Sequence, residues 1–229
     1  MGRSPVSLVV AACLLIPWTG DLAVAAPATG GIHWNAFRGP KCGISPWGNA
    51  PTDWDGPSGR GVLWKTPLRV SGVSSPVLWG DRLFITEATD KERAVLAFDV
   101  AGGRQLWRQV VEDGDDASPL PSVSDYGLAM PTATCDANGV YALFGTGDLA
   151  AFSHDGQLRW RTFLGRPTIG YGFSSSPYAL NGLLFVQYDH HAAGRMVAFE
   201  SATGKIVWDV ERSRGASWSS LMVVPDADA

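Results

Sequence analysis

From about residue 73 to residue 211 the chain repeats one pattern, a short apolar or alternating run followed by a turn signal. The first unit reads Ser74-Ser75-Pro76-Val77-Leu78-Trp79, then Gly80-Asp81, then Arg82-Leu83-Phe84-Ile85-Thr86. Val95-Leu96-Ala97-Phe98-Asp99 follows, and Gln105-Leu106-Trp107 closes the unit after Gly102-Gly103-Arg104. The second unit has Met130-Pro131-Thr132-Ala133, Asn138-Gly139-Val140-Tyr141-Ala142-Leu143-Phe144, Leu149-Ala150-Ala151-Phe152 and Asp155-Gly156-Gln157-Leu158-Arg159-Trp160. The third has Ser175-Ser176-Pro177-Tyr178, Asn181-Gly182-Leu183-Leu184-Phe185-Val186, Met196-Val197-Ala198-Phe199-Glu200 and Thr203-Gly204-Lys205-Ile206-Val207-Trp208. From Pro76, Pro131 and Pro177 to the closing Trp the spacing is 31, 29 and 31 positions.

Runs this short, bounded by Gly, Asn and Asp, predict strands rather than helices. Gly80-Asp81, Asn138-Gly139 and Asn181-Gly182 stand where a tight hairpin needs residues that tolerate positive φ. The middle connections, at 87–92 and 189–194, read as looser. Four antiparallel strands per unit, at a period in the forties, predict a β-propeller blade, with blades at about 73–111, 129–164 and 173–211. A sandwich or open meander is the rival, but neither requires the same turn chemistry three times. The expected fold class is all-β: a partial β-propeller of three four-stranded antiparallel blades plus one strand of each flanking blade, within residues 61–229. The flanking strands are 62–68, a fourth strand, and 217–224, a first strand. A closed ring takes about four to eight blades, so the length reads as a truncation. An open arc with unpaired edges is expected, which another chain would close. Trp64, Trp107, Trp160 and Trp208 all fall in fourth strands. A large flat ring there fills the wedge between splayed sheets, and these four are expected to dock blade on blade.

Composition sharpens this in two ways. Of the 27 Gly, 15 fall in the repeat region, and 45 % hydrophobic residues exclude disorder. A net charge of −4 offers no field for nucleic-acid phosphate or anionic lipid. Upstream, Arg3 precedes an apolar run over 6–18, and Ala23 and Ala25 stand at the positions a signal peptidase reads. Residues 1–25 are therefore expected to be a secretory signal peptide cut after Ala25, leaving no membrane span. An uncleaved anchor and lipidation at Cys13 are the alternatives. Residues 26–60 read as an extended N-terminal arm. Export to the periplasm or beyond the cell permits a disulfide between Cys42 and Cys135; a free buried Cys135 is the other reading.

Ala97-x-Asp99-x-x-Gly102-Gly103-Arg104-x-x-Trp107 and Ala198-x-Glu200-x-x-Thr203-Gly204-Lys205-x-x-Trp208 resemble the tryptophan-docking repeat of the PQQ-binding-like (quinoprotein-like) β-propellers, A-x-D-x-x-T-G-x-x-x-W. The second unit departs from it, being one residue shorter with Ser153 where the acid would stand. The arm Trp34-Asn35-Ala36-Phe37-Arg38-Gly39-Pro40, then Leu63-Trp64-Lys65-Thr66-Pro67 and Phe144-Gly145-Thr146-Gly147, are similar to exported propellers of this class common in planctomycete-type bacteria. The resemblance covers roughly 34–224 and implies the fold. It implies two functional precedents. One is the alcohol and glucose dehydrogenases that hold pyrroloquinoline quinone (PQQ) and calcium on the axis. The other is the propeller lipoprotein of the outer-membrane β-barrel assembly machinery. The first implies carboxylate and amide ligands, an Asp base and, in many members, a pair of adjacent cysteines. This chain has no Cys-Cys pair, and no motif carries the other residues over. No catalytic, cofactor-binding or metal-binding residue is assigned, and no cofactor is expected.

Little other chemistry is written in the chain. Asp189-His190-His191 reads as a solvated loop, since adjacent strand residues face opposite sides and do not chelate. Glu112-Asp113-Gly114-Asp115-Asp116 lacks the spaced alternation of a calcium loop and begins a long excursion. No nucleophile elbow, phosphate-binding loop or H-E-x-x-H helix is present. The serines at blade starts place Ser74, Ser75, Ser175, Ser176, Ser219 and Ser220 at one mouth of the axial channel, with Tyr126, Tyr171, Phe173 and Trp218. That mouth is the candidate ligand or partner surface; simple inner-strand packing is the alternative. The expected function is an exported, non-catalytic binding or assembly scaffold with protein partners in the cell envelope. The alternative is a fragment of a PQQ- and calcium-dependent dehydrogenase.

Overall fold

The computed structural model describes residues 33–41, 43–45, 52–70, 72–112, 114, 127–169, 172–213 and 215–223. The expected signal segment 1–25 with Cys13, and also Cys42, Tyr126 and Tyr171, lie outside the described residues. Among those described, the strands form three antiparallel sheets. Blade 1 orders β1 (His33–Trp34), β2 (Val77–Trp79), β3 (Arg82–Ala88), β4 (Arg93–Asp99) and β5 (Gln105–Val111). Blade 2 has β6 (Thr134–Asp136), β7 (Gly139–Leu143), β8 (Asp148–Phe152) and β9 (Leu158–Phe163). Blade 3 has β10 (Tyr178–Leu180), β11 (Leu183–Asp189), β12 (Gly194–Glu200) and β13 (Ile206–Glu211). The first strands of neighbouring blades, β2, β6 and β10, touch one another, which makes them the axial strands. This is the all-β, partial-propeller fold that the repeat predicts.

The two-residue period decides which way each side chain packs. In β7, Val140 and Ala142 join Val77, Phe84, Val95 and Ala97 of blade 1 in one cluster. Tyr141 and Leu143 join Leu184, Val186, Val197 and Phe199 of blade 3 in another. With neighbours on both sides, β7 and β8 are buried along their whole length, whereas β13 is exposed along all of its own. Each fully buried Leu, Val or Phe in these layers contributes roughly 1.5–3 kcal/mol.

Strand register corrects the repeat alignment. Val77, Thr134 and Tyr178 are equivalent, because they pair with Phe84, Tyr141 and Phe185 in the same ladder position. Ala133, not Pro131, therefore stands where Pro76 and Pro177 stand. Most of the shortening of blade 2 falls in its middle hairpin. Thr86 pairs with Val95 and Gln187 with Met196, nine positions on, but Leu143 pairs with Leu149, six positions on. The longer hairpins of blades 1 and 3 are tight rather than loose: the N–H of Thr89 donates to Glu92 O at 2.7 Å and that of His190 to Ala193 O at 2.8 Å.

Two further expectations change. Residues 62–68 and 217–223 form no ladder among the described residues; a strand needs a hydrogen-bonded neighbour, and these are extended segments held by side chains. Asn181 and Gly182 do adopt positive φ (50° and 77°), but the turn of blade 2 does not. There Asp136 Oδ1 accepts the N–H groups of Asn138 (2.8 Å) and Gly139 (3.2 Å). Gly139 is required for a different reason: a β-carbon would lie 2.1 Å from the carbonyl oxygen of Phe152.

Candidate functional site

Every third-to-fourth strand pair carries a register shift at the same place, Ala97/Phe98, Ala151/Phe152 and Ala198/Phe199. The turn beyond it contains a glycine with positive φ: Gly103 (67°), Gly156 (86°) and Gly204 (73°). Each glycine lies against the tryptophan of the preceding unit. A β-carbon on Gly103 would stand 2.3 Å from Trp64, on Gly156 2.8 Å from Trp107, and on Gly204 2.5 Å from Trp160. The three indole N–H groups donate to the carbonyls of Val100 (2.8 Å), His154 (2.9 Å) and Ser201 (2.9 Å). Trp107 also lies 5.8 Å from Phe84 of its own blade and 6.1 Å from Phe152 of the next. Trp160 lies between Tyr141 and Phe199 in the same way, at 6.1 and 6.2 Å. In blade 2, Ser153 does the local work of the missing acid: its Oγ accepts the N–H of Gln157 at 3.1 Å, as Asp99 Oδ1 accepts that of Gly102 at 2.6 Å.

Trp208 differs from the other three. Its ring lies 6.0 Å from Phe185, but among the described residues no following turn receives it, and it is 36 % exposed. Ile206, Val207 and Val210 are exposed beside it.

At the axis the N–H of Ser75 donates to Thr132 Oγ1, that of Thr132 to Ser176 Oγ, and that of Ser176 to Ser220 Oγ, each at 3.0 Å. One run of main-chain-to-hydroxyl bonds thus ties the three blades and the segment 217–223 together. Sequence reasoning missed Thr132 as a member because Pro131 misaligned the unit. The residues expected at the mouth separate into groups. Ser74 is tied to Thr86, whose hydroxyl donates to it at 2.9 Å. Ser175 is buried and donates to the carbonyl of Ser217 at 3.5 Å. Phe173 is fully buried, 4.9 Å from Tyr188, and so belongs to the core rather than the mouth surface.

Trp218 does line a pocket at this mouth, with a volume of about 490 Å³. Thr132, Ser176 and Ser220 line it, as do Phe37 and Arg38 of the arm. The arm reaches it because β1 pairs with β2 and the chain then crosses to blade 2, where the carbonyl of Asn35 accepts the N–H of Cys135 (2.8 Å) and the hydroxyl of Thr134 (2.9 Å). Gly39 (φ 67°) turns it outward, under a Trp34 ring that would lie 2.5 Å from a β-carbon there. Cys135 is a buried free thiol, pushed well above its ordinary pKa by burial and then by Asp136, which makes it unreactive.

The buried carboxylates face guanidinium groups. Glu87 meets Arg108 at 2.6 Å, Asp148 meets Arg93 at 3.4 Å, and Asp189 meets Arg212 at 3.6 Å. Asp189 is thus buried rather than solvated, and its Oδ2 also accepts Gln187 Nε2 at 3.0 Å. The neighbouring His190 lies 3.0 Å from the hydroxyl of Thr168. Calcium takes six to eight oxygen ligands, about two or more of them from carboxylates in a typical site. Here no group of three or more His, Cys, Asp or Glu converges among the described residues, and the three buried acids are engaged with arginine. This donor set does not fit a calcium–quinone centre.

Together these features define a class: an arc of PQQ-like propeller blades, joined by tryptophan-on-glycine contacts around a hydroxyl-lined axis. The chain belongs to the family described as outer membrane protein assembly factor BamB, whose profile matches residues 18–174. No curated protein sequence matches it. Among solved structures, a europium-containing methanol dehydrogenase is similar over 62 % of this chain and 25 % of its own, with a TM-score of 0.51 at 16 % identity. BamB from Moraxella catarrhalis is similar over 61 % of this chain and 35 % of its own, with a TM-score of 0.39 at 20 % identity. Quinohemoprotein alcohol dehydrogenase from Comamonas testosteroni is similar over 62 % and 21 %, with a TM-score of 0.48 at 16 % identity. The chain thus spans about a third or less of the length of these structures, and the likeness is one of fold. Among the described residues no helix is long and apolar enough to cross a membrane.

Proposed function

We propose that the protein is an exported propeller scaffold, in the periplasm or outside the cell, that binds protein partners of the cell envelope and has no catalysis of its own. The observation that carries this reading is the outward face of blade 3. There Trp208 over Phe185, with Val210 on the same side of the sheet, presents to solvent the arrangement that Trp107 and Trp160 bury on a glycine turn. A contiguous apolar strand face of this kind fits a protein surface offering such a turn. The family description, an outer-membrane assembly factor, agrees in kind. So does the engagement of the buried acids with arginine.

The test uses the full chain as bait in envelope extract, with a photo-crosslinker at Val210. The wild-type chain is expected to capture one partner in stoichiometric amount, and Trp208→Asp to lose it. Loading with PQQ and calcium is expected to give no dye reduction with alcohols or glucose. A rate that depends on both additions would overturn the scaffold reading in favour of a dehydrogenase fragment.

A further inference from the structure

Each blade has two unlike faces. One offers a fourth-strand tryptophan, and the other a phenylalanine beside a glycine turn that receives such a ring. Leu83–Phe98, Val140–Phe152 and Leu184–Phe199 are the same ladder position in the three blades. Trp107 lies 6.1 Å from Phe152 and Trp160 lies 6.2 Å from Phe199, each over the turn next to that ring. Among the described residues blade 3 has a ring, Trp208, with no turn to receive it, and blade 1 has a turn, at Gly103, that no preceding blade reaches. The two halves of one contact thus stand at the two ends of the arc.

On blade 1 the segment 62–68 fills the turn instead. Trp64 covers Gly103 and donates to Val100 O at 2.8 Å, and the hydroxyl of Thr66 donates to Gly103 O at 2.6 Å. The filling is partial. The segment joins no ladder, and a cavity of about 180 Å³ remains between it and the blade, lined by Thr66, Leu68, Leu83, Ile85 and Phe98. Side chains that line a void forfeit the contacts that a whole blade would make. Charge agrees with the match. β13 carries Asp209 and Glu211 and no cation, whereas an exposed Arg104 follows Gly103, and Asp99 of that turn is engaged with the N–H of Gly102.

We propose that the blade 1 face beneath residues 62–68 is a docking surface for blade 3 of a second copy of this chain, and that 62–68 is the strap that fills it while the chain is alone. Trp208 of the second copy then covers Gly103 as Trp107 covers Gly156. The contact joins unlike faces, so copies associate head to tail. The strap competes as a tethered segment, at high effective concentration, and keeps wild-type chains apart. The inference rests on the scaffold reading in one respect, that the outward face of blade 3 is a docking face.

The test is sedimentation of the full chain as its concentration is raised. The wild type is expected to keep the mass of one chain. Trp64→Ala opens the turn and should raise the weight-average mass at least about twofold. Thr66→Val keeps the ring and removes only the hydroxyl bond to Gly103, so it reads the same effect, in smaller degree, in a chain whose core is untouched. Adding Trp208→Asp to either variant should return it to one chain. The Trp64→Ala, Trp208→Asp chain has an open turn and no docking ring, so mixed with wild type it should form pairs that grow no further. Opened variants that keep the mass of one chain, assembly that survives Trp208→Asp, or a wild type that assembles as strongly as Trp64→Ala would each overturn the proposal. Capture of an envelope partner by the wild type without assembly of the opened variants would remove this inference and leave the scaffold reading. Assembly without capture would do the reverse.

Discussion

A β-carbon on Gly204 would stand 2.5 Å from the ring of Trp160, and the indole N–H of that tryptophan donates to Ser201 O at 2.9 Å. The turn is therefore shaped by its neighbour's ring as well as by its own φ of 73°. Gly204→Ala should destabilise by about 2–4 kcal/mol, combining left-handed strain with overpacking. Gly182 is the control: its φ is 77°, yet nothing lies within 4 Å of its β-carbon position. Gly182→Ala should cost only about 1–2 kcal/mol. Urea unfolding of both variants checks this, and equal losses would mean that the ring does not press on the turn.

Trp160 and Trp208 occupy equivalent positions but not equivalent surroundings. Trp160→Ala should cost roughly 3–5 kcal/mol by opening a cavity between blades 2 and 3. Trp208→Ala should cost under about 1 kcal/mol, because that ring is already partly in water. Thermal melts of the two variants decide it. A comparable loss at Trp208 would show that the ring is covered in solution.

The axial hydroxyl run predicts a local effect. Thr132→Val removes the acceptor for the N–H of Ser75 and should cost about 1–2 kcal/mol, with Thr132→Ser close to wild type. Hydrogen exchange at the Ser75 amide should accelerate in the valine variant only.

Asp148 and Arg93 are both buried, 3.4 Å apart, across the seam between blades 2 and 1. Asp148→Ala removes this carboxylate from the buried Arg93 and also frees the N–H of Gly114, which Asp148 Oδ1 accepts at 2.8 Å. A loss of roughly 3–5 kcal/mol is expected, read by denaturant midpoint at constant m-value.

His154 supplies a pH dependence. Its ring lies 5.8 Å from Trp79 and 5.9 Å from Phe84, with Nε2 2.9 Å from Asp136 O. Burial is the largest cause of a pKa lowered from 6.5. The unfolded chain then binds the proton more readily than the folded one, so stability is full above 6.5 and falls as pH drops through that value toward the lowered one. His190, also lowered chiefly by burial, acts in the same direction. His154→Gln should flatten part of this slope in melts taken between pH 7.5 and 5 (on the order of two units about the free value). An unchanged slope would place the dependence elsewhere.

Much of the fold was readable residue by residue. The apolar run Val140-Tyr141-Ala142-Leu143 after Asn138-Gly139 predicts a strand, and β7 packs toward both neighbours because successive strand side chains point to opposite faces. The docking motif was readable too, since Gly103, Gly156 and Gly204 recur at one distance from a Trp. The mouth was harder. Ser75 and Ser176 share a Ser-Pro signature, but their partner Thr132 precedes an alanine, and only the ladder from Thr134 to Tyr141 aligns it. Phe173 looked like a surface aromatic in a Gly-rich loop, yet it packs on Tyr188, a contact that nothing local announces.

By itself the sequence determined the three blades and the tryptophan in the fourth strand of each, because strand period and turn chemistry depend on residues a few positions apart. Only the tertiary structure decided which glycine each tryptophan covers and that the arm joins blade 1 and crosses to blade 2. It alone also placed Arg38, Thr132 and Ser176 on the lining of one pocket. Those contacts join residues such as Trp64 and Val100, 36 positions apart, or Asn35 and Thr134, 99 apart. Bonds of that range are chosen by how the sheets stack, and no local pattern encodes them.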